Sequence, residues 1–175
     1  MRSAAARKRL TGVLRDTSDD LLRYFLRRLD REDAADALAD VMTTAWTRVG
    51  AMPDESEQAR MWLFGIARNV LLHARRGNVR RSQLADRMRM TLSLRSAPPA
   101  DEGSEIRDAI DRLDGDLGEL IRLVHWDGFS ITDAATLLEI PSSTARGRYQ
   151  RAKEALREVS IRTSERHGIF TLSAA

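Results

Sequence analysis

"SITDAATLLEIPSSTARGRYQRAK", residues 130–153, decides the fold. Ser130 followed by Asp133 is a capping-box pattern, and Ile131, Ala134, Ala135 and Leu138 then recur at helical spacing. Glu139-Ile140-Pro141-Ser142 makes a short turn, because Pro141 cannot continue the first helix and Ser142 is suited to cap a second. Two helices joined in this way form a helix-turn-helix.

The second helix divides by face. Ala145, Tyr149, Ala152 and Leu156 lie on one side, and Ser143, Arg146, Gly147 and Gln150 lie on the other. Thr144 stands in the first turn of the same helix. Arginine pairs with guanine and glutamine with adenine in the major groove, and Gly147 permits close approach of the backbone to DNA. Arg148, Arg151 and Lys153 flank this face and suit phosphates, which give affinity with a steep salt dependence and little sequence information. A solvated basic helix, or a helix-turn-helix used between proteins, are the other readings of this segment taken alone.

Working outward, Ser104 opens a run with Ile106, Ile110 and Leu113, broken at Asp114-Gly115. Leu117, Leu120, Ile121 and Val124 follow, and Asp127-Gly128 breaks the chain again. Before this unit, "RSAPPADEG" (95–103) has the prolines, small residues and acids of an exposed linker. Nearer the N-terminus, Ser18 to Leu29 reads as a helix opened by a cap-like Ser-Asp-Asp, and Asp30 to Val49 as a second with Ala34, Leu38, Val41, Met42, Ala45 and Val49 in its apolar stripe. Ser56 caps a third, whose stripe is Leu63, Ile66, Ala67, Val70 and Ala74, and the pattern blurs after Gly77. The expected fold is all-α: two small helical domains, 15–77 and 104–160, joined by a flexible linker over 78–103 and followed by a tail, 161–175, with the C-terminal domain a helix-turn-helix.

Composition narrows the function. With 29 Lys and Arg against 26 Asp and Glu the net charge is only +3, but the charges are segregated. Residues 60–90 hold eight arginines and one acid, whereas residues 30–40 hold five acids and one arginine. The absence of cysteine excludes disulfides, thiolate metal sites and cysteine nucleophiles, and suits a reducing compartment such as the cytoplasm. The basic N-terminus leads into no apolar stretch of signal-peptide or membrane-span length, so no membrane insertion is expected. Three scattered histidines and the lack of a glycine-rich phosphate loop leave no metal site, cofactor or catalytic constellation, and the chain reads as non-enzymatic.

Two more surfaces stand out. Asp33, Asp36 and Asp40 fall within about 60° of one another at about 100° per residue, an acidic ridge on the second helix. Asp33 is favoured by the helix dipole, while Asp40 lacks that explanation, and like charges at i and i+4 cost a few tenths of a kcal/mol. A solvated face and a docking site both remain open. On the third helix Trp62, Asn69 and Arg76 repeat every seventh residue with His73 beside them and Arg68 further round. An aromatic, an amide and cations suit unstacked bases and phosphates, although a core-edge role also fits Trp62.

The order of the parts, "REDAADALADVMTTAW" (31–46), "MWLFGIARNVLLHARR" (61–76), a linker and "GFSITDAATLLEIPSSTARGRYQRAKEALR" (128–157), resembles a bacterial RNA polymerase sigma factor of the extracytoplasmic-function (ECF) group. The resemblance covers about residues 18–158. It implies that the acidic ridge (Asp33, Asp36, Asp40) docks on the clamp helices of the largest subunit of core polymerase. It implies that the third helix and the 51–58 loop read and melt the −10 element of promoter DNA through Trp62, Arg68, Asn69, His73 and Arg76. The −35 element would fall to Ser143, Thr144, Arg146, Gly147, Arg148, Gln150, Arg151 and Lys153, and the flap region of polymerase is a further implied contact. A monomer when free and an anti-sigma factor as partner are also family expectations. The linker, extended, would span up to about 90 Å.

The chain departs from the family pattern at three places. Ala39-Asp40 stands where Gln-Glu is frequent, His73 where Asp is common, and Leu113-Asp114 where Leu-Pro is usual. Two other readings make different predictions. A stand-alone helix-turn-helix regulator would bind palindromic duplex as a dimer without polymerase, and a protein–protein adaptor would show no promoter dependence.

Overall fold

The computed structural model describes residues 2–89 and 104–167, and every regular element among them is helical. They fall into two compact units, one within 1–95 and one within 96–175.

In the first unit α1 runs from Arg2 to Leu26, α2 from Arg31 to Thr47, a single 3-10 turn covers Val49–Ala51, and α3 runs from Ser56 to Arg89. The expected start of the first helix at Ser18 is wrong. Leu10, Leu14 and Thr17 are buried on the same face as Leu21 and Phe25, so the apolar stripe begins two turns earlier. Ser18 is mid-helix, its hydroxyl donating to the Leu14 carbonyl rather than capping anything.

The second helix starts as its acids dictate. Asp30 is its N-cap, its carboxylate accepting from the Asp33 N–H at 2.8 Å, with Glu32 and Asp33 in the first turn. Small residues, Ala34, Ala37 and Ala45, line its buried face with Val41, and α1 and α3 close over them. An aromatic cluster from α1 and α3 adds to the core. Tyr24 meets Phe25 and Phe64 edge-to-face, at 5.3 and 5.5 Å between centroids.

The third helix differs from expectation at both ends. Ser56 is its first helical residue, and the Glu55 carbonyl before it accepts from Ala59. It does not stop near Gly77. Residues 78–89, expected in the linker, continue the helix, where the chain advances about 1.5 Å per residue rather than the ~3.4 Å of an extended segment. The rest of that linker, 90–103, and the end of the tail, 168–175, lie outside the described residues.

In the second unit α4 covers Ser104–Asp111, α5 Gly115–His125, α6 Ile131–Leu138 and α7 Ser142–His167. Ile110, Ile121 and Ala152 form a buried cluster, with Leu113, Leu117, Tyr149 and Leu156 packed against it. α4 and α5 approach closely at Gly118, where an added Cβ would lie 2.9 Å from the Ile110 carbonyl oxygen. The predicted breaks are present, with Gly128 at φ +73° between α5 and α6.

The helix-turn-helix is bounded by a cap at its start and by Glu139, Ile140 and Pro141 at its turn. Ser130 caps α6 through the Asp133 N–H at 3.1 Å and donates its hydroxyl to the Asp133 carboxylate at 2.6 Å. Glu139 ends α6 in the left-handed region, φ 57°, a conformation usually left to glycine, and the Ile140 N–H returns to the Ala135 carbonyl. The Pro141 carbonyl then accepts the first bond of α7 from Ala145. Ser142 is therefore inside α7, not its cap.

Candidate DNA-binding and docking surfaces

α7 presents its two faces as the residue types require. Ala145 and Ala152 are fully buried, whereas Ser143, Thr144, Arg146, Gly147, Gln150 and Arg151 are all exposed on the far side. Gly147 has open space where a side chain would be, so nothing among the described residues requires a glycine there.

Not every expected phosphate contact is free. Arg148 is drawn aside to Asp116 of α5, Nη1 to Oδ2 at 2.8 Å, and is half-buried in that position. Lys153 is exposed, its ammonium 5.6 Å from the centroid of the Tyr149 ring. Tyr149 in turn stacks on His125 of α5, centroids 5.8 Å apart and 15° from parallel, and its hydroxyl lies 3.0 Å from His125 Nε2. Neither His125 nor Asp116 stands out in the sequence. Both lie on α5, and what ties them to α7 is tertiary contact across 24 and 32 residues, which helical periodicity does not register.

On α3, Trp62 and Arg68 are half-buried, while Asn69, His73 and Arg76 are exposed. Trp62, Asn69, His73 and Arg76 fall within about 60° of one another, one stripe along the helix, and Arg68 lies about 120° from Trp62. The helix brings four of the five expected residues together and leaves Arg68 on a neighbouring face.

The acidic ridge of α2 is exposed at Asp36 and Asp40 and half-buried at Asp33. Trp46, further along the same helix, is 42% exposed. It too went unnoticed in the sequence, although its position off the apolar stripe was the available signal.

The connection between α2 and α3 is shorter than the expected 51–58 loop, because Ala51 ends the 3-10 turn and residues 56–58 open α3. It turns over the buried Met52, and Ala51, Asp54, Glu55 and the first residues of α3, 56–58, are exposed. Arg9 of α1 reaches this connection. Its guanidinium bonds the Asp54 carboxylate through Nη1 and the carbonyls of Met52 and Pro53 through Nη2, at 3.3 and 2.5 Å.

Among the described residues no group of three or more His, Cys, Asp or Glu is arranged to hold a metal, and no helix is long and apolar enough to cross a membrane.

Residues 104–156 match the family model for sigma-70, region 4. The chain is 30% identical over 161 residues to the ECF RNA polymerase sigma factor SigL of Mycobacterium tuberculosis, an alignment covering 89% of this chain and 91% of that protein. It is likewise 30% identical over 152 residues to SigC of the same species, covering 84% and 80%. Among solved structures, the sigma factor RpoE of Bartonella quintana in complex with the anti-sigma factor NepR is similar with a TM-score of 0.68 and 26% identity, over 87% of this chain and 96% of that one. CnrH, solved with the cytosolic domain of CnrY, shares the fold at a TM-score of 0.63 and 20% identity, over 90% and 93%.

Proposed function

The chain belongs to the ECF group of RNA polymerase sigma factors, non-enzymatic proteins of transcription initiation, and from that premise we propose how its surfaces divide the work. α7 reads the −35 element, with Arg146 and Gln150 at base edges, Gly147 against the DNA backbone, and Ser143, Thr144, Arg151 and Lys153 at phosphates and sugars. The observation that carries this is the exposed polar face of α7 set opposite one whose Ala145 and Ala152 are fully buried. Arg148 takes part only by leaving Asp116.

The first unit reads the −10 element. Trp62, Asn69, His73 and Arg76 form the stripe that meets the separated strand, with the 51–58 segment, the connection and first turn of α3, leading into it, and Arg68 contributes from the adjoining face. Capturing unstacked bases favours the open duplex, because the protein binds that state and not the closed one. The ridge of Asp33, Asp36 and Asp40 docks on the clamp helices of the largest polymerase subunit, and the second unit contacts the flap region.

Two weak readers held on one polymerase act as a single bivalent one, so neither needs high affinity alone. The free chain is monomeric and works in the cytoplasm. The RpoE relative was solved with an anti-sigma factor, which supports a partner of that kind here.

Holoenzyme reconstituted from core polymerase and this chain, transcribing fragmented genomic DNA, tests the division. Sequencing the transcript starts of wild type should yield a two-part motif. Arg146→Ala and Gln150→Ala should relax only its upstream half, and relaxation of the downstream half instead would contradict the assignment.

A further inference from the structure

Arg9 stands in a part of α1 that the −10 and −35 surfaces do not use, yet one guanidinium engages three consecutive residues 43–45 positions away, Met52, Pro53 and Asp54. An arginine fork bound in this way fixes orientation as well as place, which a lysine ammonium cannot do. The residue next to Arg9, Leu10, is fully buried and anchors this turn of α1 in the core. The connection is also anchored by the Met52 side chain, which is buried. What it presents to solvent is Ala51 and residues 54–58.

Asp54 sharpens the point. Its carboxylate, paired with Arg9, is 97% exposed, so the pair lies on the solvent side of the connection where a ligand would meet it.

We propose that Arg9 is a positioning residue for −10 recognition, its fork presetting the 52–54 backbone so that the exposed edge of the loop receives an unstacked base without first having to be ordered. A loop ordered beforehand loses less conformational freedom on binding, and that difference appears as affinity and discrimination. The proposal rests on the reading of the 51–58 segment as part of the −10 reader.

The test uses holoenzyme reconstituted with the full chain on templates having a fixed −35 element and a randomised −10 element, with transcripts sequenced. Arg9→Ala is expected to lower the discrimination between best and worst −10 bases by about three- to tenfold. Core co-elution and −35 preference should stay at wild-type values, while the melting temperature falls modestly with the lost Arg9 bonds. Arg9→Lys keeps the charge without the fork and should fail as Arg9→Ala does; wild-type discrimination in Arg9→Lys overturns the fork as the cause. A photocross-linker placed at Glu55 reports in parallel whether the loop lies on the −10 strand. A cross-link together with flattened −10 preference in both variants supports the proposal. A cross-link with unchanged preference in Arg9→Ala overturns the role of Arg9 and leaves the loop as a reader, whereas no cross-link overturns the loop reading and the proposal together.

Discussion

Arg148 on α7 and Asp116 on α5 form a 2.8 Å ion pair that ties the basic helix to the scaffold behind it. The pair separates two cations that look equivalent in the sequence, since Arg151 is exposed on the outer side of α7.

Salt dependence should distinguish them. Arg151→Ala is expected to reduce the slope of log affinity against log salt for holoenzyme on a −35-containing duplex by about 0.9, the value for one lost phosphate contact. Arg148→Ala should leave that slope unchanged and cost only about 0–1 kcal/mol of stability, because Asp116 is largely solvated. Equal slopes for the two variants would show that Arg148 leaves Asp116 for phosphate.

Two glycines should respond in opposite ways. Gly118→Ala forces a methyl against the Ile110 carbonyl oxygen and should destabilise the second unit by about 1–3 kcal/mol. Gly147→Ala meets open space and should stabilise α7 by about 0.5–1 kcal/mol through helix propensity, while weakening −35 binding. Thermal denaturation and promoter binding, measured on both, check the pair.

Tyr149→Phe keeps the ring against His125 but removes the hydroxyl that lies 3.0 Å from Nε2. Stability should fall by about 0.5–1.5 kcal/mol, the usual worth of one hydrogen bond, with −35 sequence preference unchanged. A shift in the preferred −35 sequence would place Tyr149 in DNA reading rather than in holding α7 to α5.

At the first unit, Asp30→Ala removes the N-cap of α2 and should cost about 1 kcal/mol in thermal denaturation. Asp30→Asn, which keeps an acceptor for the Asp33 N–H, should recover most of it. Loss undiminished in Asp30→Asn would assign the effect to charge rather than to the cap.

What was legible in the sequence was local. Ser130 with Asp133, Pro141 and the alternation of faces around Ala145 and Ala152 depend on residues within a few turns, and they specify the helix-turn-helix directly. Cap residues misled where their chemistry is ambiguous. A serine hydroxyl satisfies a carbonyl four residues back as readily as a free N–H, and Ser18 does the former. Leu10 and Leu14 carried the correct signal, but it needed the stripe to be followed upstream through Thr17, a polar residue that is nevertheless buried. Long-range partners were out of reach. Nothing near Arg148 announces Asp116, and nothing near Arg9 announces the Met52 and Pro53 carbonyls.

Co-elution with purified core RNA polymerase, comparing wild type with Asp36→Arg, tests the central assignment most directly. Asp36 is exposed, so its reversal leaves the fold intact and changes only the charge offered to a partner. Wild type is predicted to co-elute stoichiometrically, and Asp36→Arg to bind at least about tenfold more weakly. Undiminished binding by Asp36→Arg would contradict docking through the acidic ridge, and failure of wild type to bind would contradict its action as a sigma factor on that polymerase.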